Sequence, residues 1–283
     1  MSCSERLKKI QIITAQGTFT VQVLGSHGDW IVCWPTRVCD HTNMLEFAKA
    51  LAHDFRILMI DPPGNGLNRA LNYRPAVSDQ AFFALQAMDY LGIEQCHWVG
   101  HSAGGVVGTV LHASAPHRLK SLTLGSTPLL RQGRFNLAAA AASPILARNR
   151  FGRHLLARRA MEELGYRDEE ERRLVARHMA QSIDKASPSV ISAVRPLDGN
   201  MVRRMFDQLR AKYPPMLVIA GQYDRVVLAR DQQTVAQVTQ ARYAQLPCGH
   251  MTFFMEPESC ALAFQRFIQV HSWPESTRPA MLA

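Results

Sequence analysis

The chain has 283 residues, 47% of them hydrophobic and 19% charged, a balance typical of a globular protein rather than a disordered one. This length suits one large domain or two small ones. The sequence contains no apolar run of about 18 residues, so no membrane span is predicted. The first residues lack the apolar stretch of a secretory signal peptide. Six cysteines form no C-x-x-C pair, so reduced thiols and a cytoplasmic location are expected.

The formal net charge of +9 is concentrated in one part of the chain. Residues 128–212 contain 17 Lys and Arg against 9 Asp and Glu and so carry +8 of it. Solvated helix faces would explain this excess. The alternative is a surface for an anionic substrate or an acidic carrier protein. Nucleic acid is not expected as a partner, because no aromatic residues interleave with the arginines and no reader motif occurs.

In the first half of the chain, apolar runs alternate with helical patterns. Residues 10–15 and 19–24 predict two strands joined by a hairpin turn at Gln16-Gly17. The elements that follow in chain order are strand 30–34, helix 43–55, strand 56–61, a loop rich in Pro and Gly at 62–66, helix 78–91, strand 96–100, helix 103–115 and strand 119–126.

After residue 126 the pattern becomes helical and highly charged, with helices predicted at 153–164 and 169–183. The chain then returns to alternating strands and helices. These elements are strand 215–221, helix 229–238, strand 241–247 and helix 258–270. The residues from Ser272 onward include two prolines and are expected to form a loose tail.

Continuously apolar strands that alternate with helices predict an α/β fold. We expect a mostly parallel sheet of eight strands with helices on both faces and an antiparallel start. The charged helical segment interrupts this alternation and is therefore predicted to form a cap over one end of the sheet. The predicted boundaries are residues 1–127 and 213–271 for the core, 128–212 for the cap and 272–283 for the tail.

The sequence GHSAG at residues 100–104 stands between a predicted strand and a predicted helix. In this context G-x-S-x-G forms a nucleophile elbow, a sharp turn in which side chains at the glycine positions would clash. Ser102 is therefore the candidate nucleophile, exposed at the carboxyl edge of the sheet.

A serine hydroxyl needs a general base, and in this architecture an acid and then a histidine follow the serine along the chain. Asp224 and His250 each lie just after a predicted strand, where a doubly wound sheet places its site. His250 would take the proton of Ser102, and Asp224 would orient the imidazole. The simpler alternatives are a helix or turn cap for Asp224 and a solvated loop position for His250.

With these residues the chain resembles cap-bearing proteins of the α/β-hydrolase fold, which include esterases, lactonases, thioesterases and carbon–carbon bond hydrolases. The resemblance runs from about residue 10 to 270, with the cap segment poorly matched. It rests on four motifs: DPPGNG at 61–66, VGHSAGG at 99–105, AGQYDRVV at 220–227 and CGHMTFFMEPE at 248–258. It implies the roles of nucleophile, acid and base for Ser102, Asp224 and His250. A serine at the elbow argues against the related epoxide hydrolases and haloalkane dehalogenases, which use aspartate there.

The resemblance also implies an oxyanion hole built from the backbone N–H groups of Ala103 and Thr36. The family usually has His-Gly where this chain has Trp34-Pro35, and proline fixes φ. Thr36 retains its N–H, so the donor itself is present. A second departure, Asn65 in place of a frequent histidine, is mild because asparagine tolerates turn conformations.

Three further residues, Trp34, Met251 and Tyr223, are candidates for contact with the substrate, with packing as the alternative for each. His97 and His101 are four residues apart but span a strand and a turn rather than a helix, so no zinc pair is predicted. No metal or other cofactor is expected.

The predicted activity is hydrolysis of a carboxylic ester, thioester or lactone through an acyl-enzyme. The substrate would be a small molecule, with or without its own carboxylate, or an acyl group presented by an acidic carrier protein at the basic cap. One alternative is a lyase, carbon–carbon bond cleaving enzyme or cofactor-free oxygenase that uses His250 and Asp224 as its base. The other is a binding protein without catalysis.

Overall fold

The computed structural model describes residues 7–14, 17–72, 76–130, 145–146, 148–192, 207 and 214–272. Eight described strands form one sheet, as predicted. They are β1 Lys8–Thr14, β2 Gly17–Leu24, β3 Trp30–Trp34, β4 Arg56–Ile60, β5 Cys96–His101, β6 Leu119–Gly125, β7 Met216–Gly221 and β8 Arg242–Leu246.

The strand order is β1-β2-β4-β3-β5-β6-β7-β8. β2 pairs antiparallel with both of its neighbours, and the remaining pairings are parallel. β3 lies between β4 and β5, and Trp34 at its end pairs with Gly100. The loop after β3 therefore leaves the sheet directly beside the GHSAG turn, at the carboxyl edge where ligands of open α/β sheets bind.

Nine α-helices lie within the described residues. They are α1 Leu45–Leu51, α2 Val77–Tyr90, α3 Ala103–Ser114, α4 Arg150–Glu163, α5 Glu169–Lys185, α6 Pro188–Ser192, α7 Ala229–Thr239, α8 Thr252–Met255 and α9 Pro257–Ser272. The helix predicted over 43–55 is shorter, because Asp40 caps a separate 3₁₀ turn at His41–Asn43 before α1 begins. The predicted tail beyond Ser272 lies outside the described residues.

The centre of the sheet is buried on both faces, which is why strands β3 to β7 are mostly apolar. The edge strands β1 and β8 are partly exposed and carry polar residues such as Lys9 and Arg242. Side chains alternate along β3. Val32 and Trp34 pack on the face that is covered by α2, α3 and α7, and Ile31 and Cys33 pack on the face that is covered by α1 and α9. Phe47 of α1 makes edge-to-face contacts with Phe253 and Phe264 on this second face.

The helices α4, α5 and α6 lie in the chain between β6 and β7. The apolar side of α5, represented by Val175 and Met179, packs with Val38 and Met251 in a third buried cluster. Val38 follows β3 and Met251 follows β8, so this cluster covers loops at the carboxyl edge of the sheet. Residues 131–144, 147, 193–206 and 208–212 of the predicted cap lie outside the described residues, and its boundaries remain a prediction. Among the described helices, none is both long and apolar enough to cross a membrane.

Candidate active site

The turn between β5 and α3 has the geometry of a nucleophile elbow. Ser102 has φ 53° and ψ −113°, a left-handed conformation that L-residues rarely adopt. A Cβ on Gly100 would lie 2.3 Å from the carbonyl carbon and oxygen of Gly104, and a Cβ on Gly104 would lie 2.2 Å from the carbonyl oxygen of Trp34. Both glycines are therefore required by the close approach of neighbouring backbone.

Three side chains that are remote in sequence meet at this edge of the sheet. Ser102 Oγ lies 3.1 Å from His250 Nε2, and His250 Nδ1 lies 2.9 Å from Asp224 Oδ2. All three residues are buried. Because a carboxylate can only accept, His250 Nδ1 donates to Asp224, which leaves Nε2 to accept the hydroxyl proton of Ser102. This tautomer is the one that a general base for Ser102 requires.

The carboxylate of Asp224 is itself fixed by the turn that carries it. Its Oδ1 accepts hydrogen bonds from the N–H groups of Val226 and Val227, each at 2.8 Å. Oδ2 remains for His250, so the two oxygens have separate partners. A turn-capping role and an imidazole-orienting geometry, which the sequence presents as alternatives, coexist in this one side chain.

A cavity of about 360 Å³, including its mouth, lies beside the elbow on the side of the loop after β3. The residues that line it are Trp34, Pro35, Thr36, Arg37, Pro62, Asn65, Val77, Gln80, Ala103 and Val107. Thr36 and Ala103 thus border one space, as an oxyanion hole requires. The N–H of Ser102 donates to the carbonyl of Gly125 at 2.7 Å. Ala103 is the first residue of α3, so its N–H has no partner within the helix and is available to a ligand.

The three predicted substrate-contact residues lie in different surroundings. Trp34 borders the cavity, but its ring is buried and stacks on Trp98 with the centroids 5.9 Å apart. Met251 belongs to the buried cluster with α5. Tyr223 is 39% exposed next to Asp224. The described lining of this cavity does not include Met251 or Tyr223, so their contact with a substrate remains a prediction.

His101 contacts the backbone of the base, a relationship that the sequence does not reveal. Its Nε2 lies 2.8 Å from the carbonyl oxygen of His250, and its Nδ1 lies 2.8 Å from the side-chain amide of Asn43. Burial lowers the pKa of His101 to about 3, so the neutral ring carries one N–H. This N–H is on Nε2 and donates to the carbonyl. Nδ1 must then accept a hydrogen bond, and the side-chain amide of Asn43 must be its donor. We therefore assign the Asn43 amide so that its NH2 group, which is buried and has no other partner, faces His101 Nδ1.

Among the described residues, the cysteine thiols are poor nucleophiles, and no metal-binding group is found. Five cysteines are buried and unpaired, and burial raises the pKa of Cys39 and of Cys96 to about 12, so these thiols stay protonated. Within the same part of the chain, no group of three or more His, Cys, Asp or Glu side chains could hold a metal ion. His97 and His101 have separate partners, since His97 Nδ1 contacts Ser121 Oγ at 2.8 Å.

A family model described as alpha/beta hydrolase fold matches residues 31–257. Among curated proteins, "Putative carbamate hydrolase RutD" of Stutzerimonas stutzeri is 36% identical over 74 residues, which is 26% of this chain. The matched stretch spans only 28% of that relative.

Two solved structures share the fold across nearly the whole chain. A thermophilic esterase from Thermogutta terrifontis aligns with a TM-score of 0.73 and 21% identity, covering 93% of this chain and 98% of the esterase. The enol-lactonase from Burkholderia xenovorans LB400 aligns with a TM-score of 0.77 and 20% identity, covering 92% of this chain and all (100%) of the lactonase. At these identities the likeness concerns the fold.

Proposed function

The chain belongs to the alpha/beta hydrolase fold family, and on that premise we propose that it is a serine hydrolase that cleaves a carboxylic ester, thioester or lactone. The observation that carries the proposal is the connected set Ser102, His250 and Asp224, with contacts of 3.1 Å and 2.9 Å. Relatives named as an esterase, an enol-lactonase and a carbamate hydrolase are consistent with attack on an acyl carbon.

In the proposed mechanism, His250 Nε2 takes the hydroxyl proton as Ser102 Oγ attacks the acyl carbon. The oxyanion that forms is bound by the N–H groups of Ala103 and Thr36. The proton on His250 then passes to the leaving alcohol, thiol or lactone oxygen, and the acyl group stays on Ser102. Water, deprotonated by the same imidazole, hydrolyses the acyl-enzyme. Asp224 holds the imidazole and stabilises its cation.

A fluorophosphonate probe together with a panel of short and long acyl esters tests this proposal. We expect wild type to be labelled and Ser102→Ala not to be labelled. Asp224→Asn is expected to lower kcat about 10⁴-fold, because the amide favours the wrong tautomer of His250. A folded wild-type protein that neither reacts with the probe nor hydrolyses any ester would refute the proposal.

Within this class, we infer that the substrate carries a carboxylate near the reacting carbonyl. Arg37 supports this, because it follows Thr36 directly and lines the cavity with it. Arg37→Met should then raise KM for an ester that bears a carboxylate and leave KM for the matched neutral ester unchanged. If the acyl group is instead presented by an acidic carrier protein, charge reversal of the α4 residues Arg153, Arg158 and Arg159 should weaken binding of the carrier. The KM values for both small esters should then stay unchanged.

The Trp34-Pro35 sequence favours one competing function, a lyase or cofactor-free oxygenase that uses only the His250–Asp224 pair as base. Under that alternative Ser102→Ala retains most of the activity, whereas His250→Ala abolishes it. Under the serine hydrolase proposal both substitutions abolish turnover.

A further inference from the structure

The connection between α4 and α5 together with the first turn of α5, residues 164–171 (the α4–α5 corner), packs against both loops that carry the proposed acid and base. The acid loop, residues 222–228, follows β7, and the base loop, residues 247–251, follows β8. The N–H of Tyr223 donates to the carbonyl of Cys248 at 3.0 Å. The two loops are therefore neighbours, and the corner contacts both of them.

On the acid side, the contact is between backbones. Gly165 has φ +73°, and a Cβ there would lie 2.0 Å from the carbonyl oxygen of Tyr223. The N–H of Arg225 also points to the carbonyl of Leu164, at 3.4 Å. These contacts come from the two residues that flank Asp224. A side chain at residue 165 would push the corner away from the acid loop.

On the base side, the contact depends on one buried carboxylate. Glu171 is 1% exposed, and its Oε1 accepts the N–H of Gly249 at 2.6 Å. A Cβ on Gly249 would lie 1.9 Å from the carbonyl oxygen of Gly165, so the backbones are in contact here too. Gly249 directly precedes His250. Glu171 thus holds the peptide on one side of the base, while His101 holds the carbonyl on the other.

A helix-capping role alone does not account for Glu171. Its N–H donates to Asp168 Oδ1 at 2.8 Å, and its Oε2 accepts the N–H of Arg167 at 2.7 Å. This arrangement is a variant of the capping box at the start of α5, with the N–H of Arg167 in place of that of the N-cap residue Asp168, and it needs one carboxylate oxygen. The second oxygen leaves the helix for the base loop. Burial of a carboxylate is costly unless both oxygens are satisfied, so the contact with Gly249 is part of what makes this position tenable.

We propose that Glu171 is a positioning residue for catalysis, which sets the base loop so that His250 lies between Asp224 and Ser102. This inference rests on the proposed function for its kinetic consequence, but the geometry it describes is independent of turnover. Helices α4 and α5, which lie in the chain between β6 and β7, would then help to position His250. A displacement of His250 by about 1 Å can cost on the order of 100-fold in rate.

Three substitutions separate reach from charge. Glu171→Gln keeps one oxygen that can accept the Gly249 N–H and turns its NH2 toward the N–H of Arg167. Glu171→Asp keeps the charge on a side chain one methylene shorter, and Glu171→Leu keeps neither the charge nor an acceptor. With p-nitrophenyl butyrate, we expect kcat to fall about 10- to 100-fold for the Asp and Leu variants, with KM within about twofold of wild type. The Gln variant should stay within about threefold of wild-type kcat. Glu170→Gln, on the exposed side of the same helix turn, is the matched control.

The second readout does not require activity. The imidazole N–H that His250 donates to Asp224 should give a downfield, exchange-protected proton NMR signal in wild type and the Gln variant, and should be lost in the Asp and Leu variants. A folded Asp or Leu variant with wild-type kcat and this signal would overturn the inference, as would an Asp variant that outperforms Gln. If the Leu variant fails to fold, the Asp–Gln pair decides alone. A wild type that shows the signal but no esterase activity or probe labelling would refute the proposed function and leave this positioning intact.

Discussion

Substitution of Ser102 by glycine should make the protein more stable than substitution by alanine, the reverse of the usual order. Both variants lack the Ser102 hydroxyl, so the comparison is independent of its proposed role as nucleophile. Ser102 has φ 53° and ψ −113°, and an L-residue held in such a region costs about 1–3 kcal/mol of strain. Glycine adopts the same conformation without a Cβ penalty.

The magnitude follows from two opposing terms. Elsewhere in an element, glycine is less stable than alanine by about 0.5–1 kcal/mol, because it loses more backbone entropy on folding. Release of about 1–3 kcal/mol of strain at Ser102 exceeds that cost. We therefore expect Ser102→Gly to unfold with a free energy about 1 kcal/mol higher than Ser102→Ala. For a chain of this size that difference raises Tm by about 2 °C.

Urea unfolding and calorimetry of the two variants measure this difference directly. Ser114, the exposed last residue of the same helix α3, provides the control pair, since a helical position without strain should favour Ala over Gly by about 0.5 kcal/mol. If Ser102→Gly is less stable than Ser102→Ala by the same amount as at Ser114, the elbow holds no strain and the reasoning is wrong.

Two further predictions concern the oxyanion loop and acid stability. Gly104→Ala should lower kcat about 10²- to 10³-fold in the ester assay, because the new Cβ would lie 2.2 Å from the carbonyl oxygen of Trp34 and displace the loop. Gly92→Ala, where a Cβ meets nothing within 4 Å, should affect stability only, and equal kcat losses at both positions would contradict the argument. Burial lowers the pKa of His178 from 6.5 to about 4, so as the pH falls His178 is protonated in the unfolded state before it is protonated in the folded state. The contribution of neutral His178 to the free energy of unfolding is therefore complete above about pH 6.5 and is lost as the pH falls toward 4. His178→Phe, which preserves stacking on Phe254, should reduce the loss of unfolding free energy between pH 7.5 and 4.5 by about 2 kcal/mol; an unchanged loss would refute this.

The sheet and the three catalytic candidates could be predicted because their signals are local. The central strands are largely apolar runs, since both faces of the sheet are covered there. The elbow needs glycines within two residues of Ser102, and the acid and base each follow a strand directly. Chain order therefore sufficed to bring Ser102, Asp224 and His250 to one edge, although 148 residues separate the serine from the histidine.

The contacts that orient the base could not be predicted in the same way. The D-x-x-E pattern at Asp168 and Glu171 marks a helix start, but the partner of the second carboxylate oxygen is 78 residues away. His101 is similar, because its neutral state depends on complete burial. Met251 follows the base closely in sequence, yet it packs with helix α5. In each case the decisive neighbour belongs to another element, and periodicity carries no information about it.

Under the serine hydrolase proposal, as opposed to the lyase or oxygenase alternative, the Trp34-Pro35 sequence is a rigid form of the proposed oxyanion loop. The proline fixes φ at residue 35, and the carbonyl of Trp34 lies against Gly104, where even a methyl group would clash. The loop is thus constrained from within and by the elbow, and Thr36 borders the same cavity as Ala103. A proline in place of the family's glycine restricts the unfolded chain, so less backbone conformational entropy is lost on folding. The departure from the family pattern therefore favours a preorganised hole with a single donor from this loop, the N–H of Thr36.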